Sequence, residues 1–355
     1  MRKYKKLVSL VLACMLSGCS LLDTTSGNAV HDGGYAAKTP FVSSDSRIKH
    51  VSLISDLDTR VSIESGLMDL SEDYFSPSEV EYTTHAFLDF DELDATDGSR
   101  GLLGTLRDDN PIGLNPSRDE EFDTGNGIVT GATILVDIYE LDWYVGDSLK
   151  GISLALVVNG ELSSNGQDLK IEDKQMSGYI EVTSNKLVSY MRERFNEITN
   201  NVPIYVATYS LGTDDDEEGG YVEAGYFTGT QGSFTSIDEQ WILMPSSTFT
   251  NFDSQTASEF SSYQDAIETM LSDYTYVTGK IKVVDNVIVK MEIDVRAQAK
   301  SAGEILAIMQ SAKENLSLFT SDSCQYTVRV LNNEEVYGII QREKGSNTSQ
   351  ILSTI

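Results

Sequence analysis

Histidine is nearly missing from this chain, with three in 355 residues, and cysteine is equally scarce, also with three. Those two shortages remove most of the usual catalytic sets, which need a nucleophile beside a base, a metal cluster or a tuned acid and base. His31 stands in a polar stretch near the amino end. His50 and His85 have no cysteine or carboxylate at ligand spacing, so the sequence encodes no zinc site of the HExxH or paired-cysteine kind. His85 reads as a surface or half-buried polar residue. A Gly-x-Ser-x-Gly elbow and a phosphate-cradling glycine loop are also missing. Cys14 and Cys19 lie within the first nineteen residues, leaving Cys324 alone in the remainder and excluding a disulfide there. Cys324 falls in a strand pattern and reads as a small apolar residue, not a reactive thiol. The reading therefore assigns no catalytic residue, no metal and no cofactor.

Basic residues are scarce as well: 26 against 55 acidic ones, a formal charge of −29. A field of that sign repels nucleic acid and anionic lipid head groups, so neither is expected as a partner of the body. The acidic excess also makes paired carboxylates too common to identify a site. Asp119, Glu121 and Asp123 alternate as calcium ligands do, yet Thr124 occupies the place of the EF-hand glycine and Thr130 that of the closing glutamate. The acidic run Asp214 to Glu218 reads as a solvated hairpin tip. Ser46-Arg47-Ile48-Lys49 matches the Ser-x-x-Lys of penicillin-recognising enzymes but has no partner motif, and chance accounts for it. Among seventeen tyrosines, Tyr139, Tyr144, Tyr205, Tyr209, Tyr221 and Tyr226 fit half-buried strand positions better than the lining of a peptide or sugar groove.

Long apolar runs are missing too, except from Leu7 to Leu16, which is shorter than the roughly 20 residues a permanent spanning helix needs. Arg2, Lys3, Lys5 and Lys6 precede it, and Leu16-Ser17-Gly18-Cys19 follows as a lipobox. The whole reads as a bacterial lipoprotein signal over residues 1–18, with cleavage before Cys19 and diacylglycerol on its thiol. Its expected partners are membrane lipid through Cys19, with prolipoprotein diacylglyceryl transferase and signal peptidase II as processing enzymes. The expected location is the outer face of the cell membrane. Removing the signal takes away four basic residues and no acid, which moves the formal charge to −33.

Residues 19–47 are polar and small, without apolar periodicity, and are expected to form a disordered tether. Residues 48–129 form an irregular region that opens with a helix carrying Ile63, Leu67, Leu70 and Tyr74, stopped at Ser76-Pro77. From Thr130 onward the fold class reads as α+β, with two repeated β-β-α-β-β units over 130–232 and 233–345 and a tail at 346–355. Each unit is expected to be an antiparallel sheet covered by one helix. Strands at Ala132–Trp143, Ile152–Val158, Ile204–Tyr209 and Tyr221–Phe227 surround a helix bearing Leu187, Met191, Phe195 and Ile198. Strands at Val277–Val284 and Val287–Val295 turn at Asp285-Asn286. A helix bearing Ile305, Met309, Ala312 and Leu316 follows, and strands at Tyr326–Leu331 and Val336–Gln341 turn at Asn332-Asn333. A further helix carries Phe260, Tyr263, Ile267 and Met270, and Trp241 is expected where the units meet.

Three blocks give the chain a family resemblance: Gly66 to Pro77 (GLMDLSEDYFSP), Asn110-Pro111-Ile112-Gly113-Leu114-Asn115-Pro116, and Leu149 to Asn159 (LKGISLALVVN). In order and with the lipoprotein signal, they resemble the CamS lipoproteins, precursors of the sex pheromone cAM373 in low-GC Gram-positive bacteria. The resemblance implies a short apolar peptide released from the signal segment, here about Leu12-Ala13-Cys14-Met15-Leu16-Ser17-Gly18. Cys14 departs from the Ile/Phe-rich pheromone of the family. The resemblance carries over no activity for the body; two prolines and a glycine make the Asn-Pro block a structural turn. The function expected is an anchored pheromone-precursor lipoprotein whose body, with a ligand yet unknown, is a non-enzymatic binding or envelope module. The alternative is a cell-envelope enzyme that works through carboxylates.

Overall fold

The computed structural model describes residues 34–94, 101–164, 166–212, 219–270 and 275–355. The expected lipidation site Cys19, the lipobox, the peptide segment 12–18, His31 and the acidic run 214–218 lie outside these residues.

Two main sheets hold the chain, and in each the strands lie side by side in chain order. The first contains Ala36–Ala37 (β1), Glu81–Thr84 (β2), Leu135–Val145 (β3), Ser148–Asn159 (β4), Ile204–Leu211 (β5), Gly220–Phe227 (β6) and Gly232–Ser236 (β7). The second contains Glu239–Met244 (β8), Thr275–Val284 (β9), Val287–Ala297 (β10), Gln325–Asn332 (β11), Glu335–Arg342 (β12) and Gln350–Ser353 (β13). Four longer helices accompany them: Leu57–Ser71 (α1), Asp173–Arg194 (α2), Ser254–Glu268 (α3) and Ala302–Asn315 (α4).

The expected α+β class holds, but the sheets are mixed and not antiparallel. β4 pairs with β5 in parallel, as does β10 with β11. Parallel neighbours need a crossover, and α2 and α4 supply it by returning the chain to the end where it began. Sequence periodicity reports which faces are apolar and carries no strand direction, so this pairing could not be read from it. The hairpin at Asp285-Asn286 forms as expected, both residues having positive φ (50° and 60°). In the other, the turn is Asn333-Glu334, one residue later, with Asn332 opposite Glu335.

The first sheet is covered on both faces, against the expectation of one. On one side α2 presses Met176, Ile180, Leu187, Val188 and Met191 onto strand residues such as Leu154 and Val206. On the other, α1 buries Ile63 and Leu67 against Trp143, Tyr205, Tyr209 and Tyr221. This explains why β3 and β4 read as near-continuous apolar runs, as strands buried on both faces do. The tyrosines are core residues: Tyr139, Tyr205, Tyr209 and Tyr221 are all buried. Where α1 passes closest, a Cβ on Gly66 would lie 2.7 Å from the Tyr221 ring, and the Tyr221 hydroxyl donates to Ile63 O. α1 ends at Ser71, so Tyr74 lies beyond it and is exposed, stacked on Tyr226.

The second sheet has one core, where α3 and α4 bring Phe260, Tyr263, Ile305 and Met309 against Ile281, Ile293 and Val328. Cys324 is buried there, and that burial pushes its thiol up to about 12.

Three expected boundaries move. The tether was expected to stay unstructured to residue 47, yet Ala36 and Ala37 pair in parallel with Glu81 and Tyr82, and Ser46 is buried in a short helix, Asp45–Lys49. The boundary at 232/233 falls at the start of β7, and the chain changes sheets at Ile237 and Asp238. The tail at 346–355 carries β13, paired antiparallel with β12.

Candidate functional site: the grooves beside Trp241

The change of sheets is abrupt. Ile237 N still donates to Val222 O of β6 (2.9 Å), while the next carbonyl, Asp238 O, accepts from Asp285 N in the β9–β10 turn (3.0 Å). The two sheets therefore meet with no slack, and Trp241, two residues into β8, stands at the seam as expected. It is half-buried, with Lys280 Nζ 4.5 Å above its ring. A groove opens on either side of it, and both are lined by Glu239 and Trp241.

The smaller groove, about 170 Å³, separates α1 from the open face of the second sheet. Asp58, Ser62, Ser65 and Asp69 share one face of α1 and look across at Lys280, Lys282, Lys290 and Arg329. Those cations already have carboxylates. Lys282 pairs with Glu239 at 3.0 Å, Lys290 with Glu292 at 2.9 Å, Lys280 with Glu292 at 3.7 Å and Arg329 with Asp294 at 2.6 Å. The groove is a charge-matched seam, and it offers no excess positive charge to an anion.

The larger groove, about 800 Å³, lies between the first turns of α2, the start of β6 and β8. That volume suits a small ligand. Val222, Ile237, Met176 and Trp241 supply apolar wall, Lys170 and Lys174 stand among its lining residues, and Glu223 lines it from β6. Glu223 reaches this side through a β-bulge. Tyr221 opposes Tyr209 and Glu223 opposes Thr208, so Val222 is the extra residue. Because of it Val222 and Glu223 both face α2, where strict alternation would separate them. Glu223 is 7% exposed, and its Oε1 has no hydrogen-bond partner among the described residues. Burial raises its carboxyl above the ordinary value, opposed by a hydrogen bond from Ser177.

A second polar cluster sits inside the first sheet. Arg47 binds Asp137 through two bonds, NH1 to Oδ2 at 2.8 Å and NH2 to Oδ1 at 2.9 Å, and lies 4.0 Å over the Tyr139 ring. His50 Nδ1 is 3.2 Å from Asp137 Oδ1. Glu140 accepts from Phe87 N and Leu88 N (3.1 and 2.7 Å), and Asp142 accepts from Ala86 N (3.0 Å). These carboxylates hold the 86–88 segment to β3 and are fully buried. His85, expected at the surface or half-buried, is buried; burial and the Arg47 charge lower it to about 3, so it is neutral.

Burial raises both Glu140 and Asp142; the neighbouring Asp142 raises Glu140 further, while hydrogen bonds from Glu140 and Ala86 N partly offset the effect on Asp142 and leave it at about 6. A carboxyl raised on folding adds stability that is complete below its unfolded value, about 4, and is lost as pH rises through the folded value. Asp142→Asn should therefore gain on the wild type as pH rises from 4 to 8. Urea unfolding at four pH values in that range tests it, and a difference between the proteins that stays constant with pH would refute the assignment.

The Asn-Pro block lies away from the grooves, and its side chains work inside the protein. Asn115 Nδ2 donates to Leu103 O (2.8 Å) and Leu135 O (2.9 Å), and Oδ1 accepts from Ile134 N (2.8 Å) and Leu135 N (2.9 Å). Asn110 Nδ2 donates to Gly101 O at 2.9 Å. Leu114 is core, and a Cβ on Gly113 would sit 2.5 Å from Thr105 O. Pro111 and Pro116 flank these contacts in sequence. Ser46 Oγ donates to Leu88 O (3.4 Å), so the serine of the Ser-x-x-Lys match is spent on the 86–88 segment. Among the described residues no cluster of three metal-ligating side chains occurs.

The sequence reading missed Glu223, Asp137, Glu140 and Asp142. The last three had a signal: acids inside an otherwise apolar strand, LVDIYELDWYV, need buried partners. Glu223 had none, because the bulge that turns it leaves no mark in composition.

Residues 41–348 match the family described as CamS sex pheromone cAM373 precursor. Two solved structures share the fold. A sex pheromone precursor from Lactobacillus salivarius subsp. salivarius superposes with a TM-score of 0.77 at 19% identity, covering 92% of this chain and 97% of that one. The C-terminal domain of the sex pheromone staph-cAM373 precursor from Staphylococcus aureus gives 0.71 at 20% identity, covering 85% and 98%. No functionally curated protein matches the chain.

Proposed function

This chain belongs to the CamS family, and from that premise we propose that it is a surface lipoprotein anchored through Cys19, whose signal segment yields a short apolar peptide ending at Gly18. The lipobox Leu16-Ser17-Gly18-Cys19 behind a basic start and a ten-residue apolar run supports the anchor. No helix among the described residues is long and apolar enough to cross a membrane. Mass spectrometry of membranes and medium from cells expressing the chain tests this part. Diacylglycerol on Cys19 together with a free peptide ending at Gly18 is the expected result. An unmodified, unprocessed amino end would overturn it.

The body is, on this reading, a non-enzymatic binding module. The observation that carries it is the 800 Å³ groove beside Trp241, with an apolar wall and a buried carboxyl in its lining. A carboxylate-dependent enzyme finds less support, since Asp137, Glu140 and Asp142 are spent on Arg47 and on main-chain N–H groups inside the core. Saturable binding without turnover supports the module. Turnover lost on replacing one groove carboxylate would favour the enzyme.

A further inference from the structure

We infer that the groove takes its ligand by a primary ammonium, with Glu223 as the counter-charge and the ligand's carbon body against Trp241, Val222 and Ile237. The inference rests on the groove being a binding site and adds the chemistry of what it binds.

Four observations support it. Glu223 is more than nine-tenths buried and lines the groove, yet Oε1 has no hydrogen-bond partner among the described residues. A buried acceptor left unpaired costs roughly 1–3 kcal/mol, and a donor arriving with a ligand recovers it. The strand is bulged at the residue before it, which places this carboxyl under α2. Its cross-strand partner Thr208 is also buried with its hydroxyl unpaired among the described residues, so a second polar atom lies on the same side. The charged residues of the lining are Asp173, Glu223, Asp238 and Glu239 against Lys170 and Lys174, so acids outnumber cations there, and Glu239 is already paired with Lys282. An ammonium fits this setting better than a neutral hydroxyl, because it brings three donors and opposite charge to a desolvated carboxyl.

Two sources share this chemistry, the amino terminus of a short apolar peptide and an amino sugar. Calorimetric titration of the full chain, purified in detergent, with tri-leucine, N-acetyl-tri-leucine, glucosamine and N-acetylglucosamine separates them. At least one free amine should bind saturably, and its N-acetyl form at least tenfold more weakly. Tri-leucine alone would identify a peptide terminus, and glucosamine alone an amino sugar. Glu223→Gln should lower affinity for the free amine at least tenfold, whereas Glu193→Gln, exposed in the last turn of α2 and outside the groove lining, should not change it. If acetylated and free probes bind alike, the groove is a binding site and the ammonium is wrong. If no probe binds, both readings fall. The acetylation comparison needs no variant, so it decides the question even where Glu223→Gln fails to fold.

Discussion

Asp137→Ala should cost about 4 kcal/mol of unfolding free energy, the effect of removing one member of a buried ion pair. The carboxylate is 1% exposed and carries both guanidinium bonds of Arg47, the contact to His50 Nδ1 and the Ile138 N–H. Without it Arg47 remains over Tyr139, half-buried and stripped of the carboxylate that both its guanidinium nitrogens bind. The short helix Asp45–Lys49, held to β3 through this pair, should loosen along with β1 just before it. Urea unfolding followed by far-UV circular dichroism measures the loss, and a cost under 1 kcal/mol would refute the role. Arg47→Met with Asp137→Leu should recover much of the stability, because the cost comes from the stranded charge more than from the pair's net worth. The pair also has a pH signature. Burial would raise Asp137, but hydrogen bonds from His50 and Arg47 outweigh it and hold the carboxyl below the ordinary value. A lowered carboxyl adds stability that is present above about pH 4 and lost as pH falls through its folded value. That acid limb should flatten in Asp137→Ala.

A second large loss is expected at Asn115→Ala, again about 4 kcal/mol. An amide has two donors and an acceptor oxygen with two lone pairs, and Asn115 uses all four between the 103 carbonyl and the entrance of β3. Alanine leaves several main-chain groups of a buried junction unmet, at roughly 1–3 kcal/mol each where relaxation cannot find substitutes. Asn115→Asp should be no better. Its oxygens can still accept from Ile134 and Leu135, but they would face the Leu103 and Leu135 carbonyls with no proton to offer. Thermal unfolding of both variants checks this, and an aspartate variant close to wild type would show that only the acceptor matters.

The parts of this fold that were legible in the sequence are those set by local rules. Ile63 and Leu67 are four apart and meet the same face of a sheet. Asp285-Asn286 adopts the positive φ pair that a two-residue hairpin requires. Leu187 and Met191 marked α2, though the helix begins fourteen residues before them at Asp173 and ends at Arg194, leaving Phe195 as its cap and Ile198 beyond it. What escaped depends on distant partners. Two residues, Ala36 and Ala37, are too few to show a strand period, and they pair only because Glu81–Thr84 offers a free edge. The direction of β5 beside β4 is fixed by a helix crossing, not by the residues of either strand. The candidate site escaped for the same reason: Trp241 was expected where the units meet, but the carboxyl that faces the groove beside it is aimed by one extra residue in β6.

The strand order of the first sheet sets the span between the entry of the chain and the groove. β1 is the first described strand after the proposed anchor, and β7, next to the groove, is six strands away. At about 4.8 Å per strand that is roughly 29 Å. On the proposed anchor at Cys19, the chain enters the body at one margin of this sheet, and the groove opens near the other.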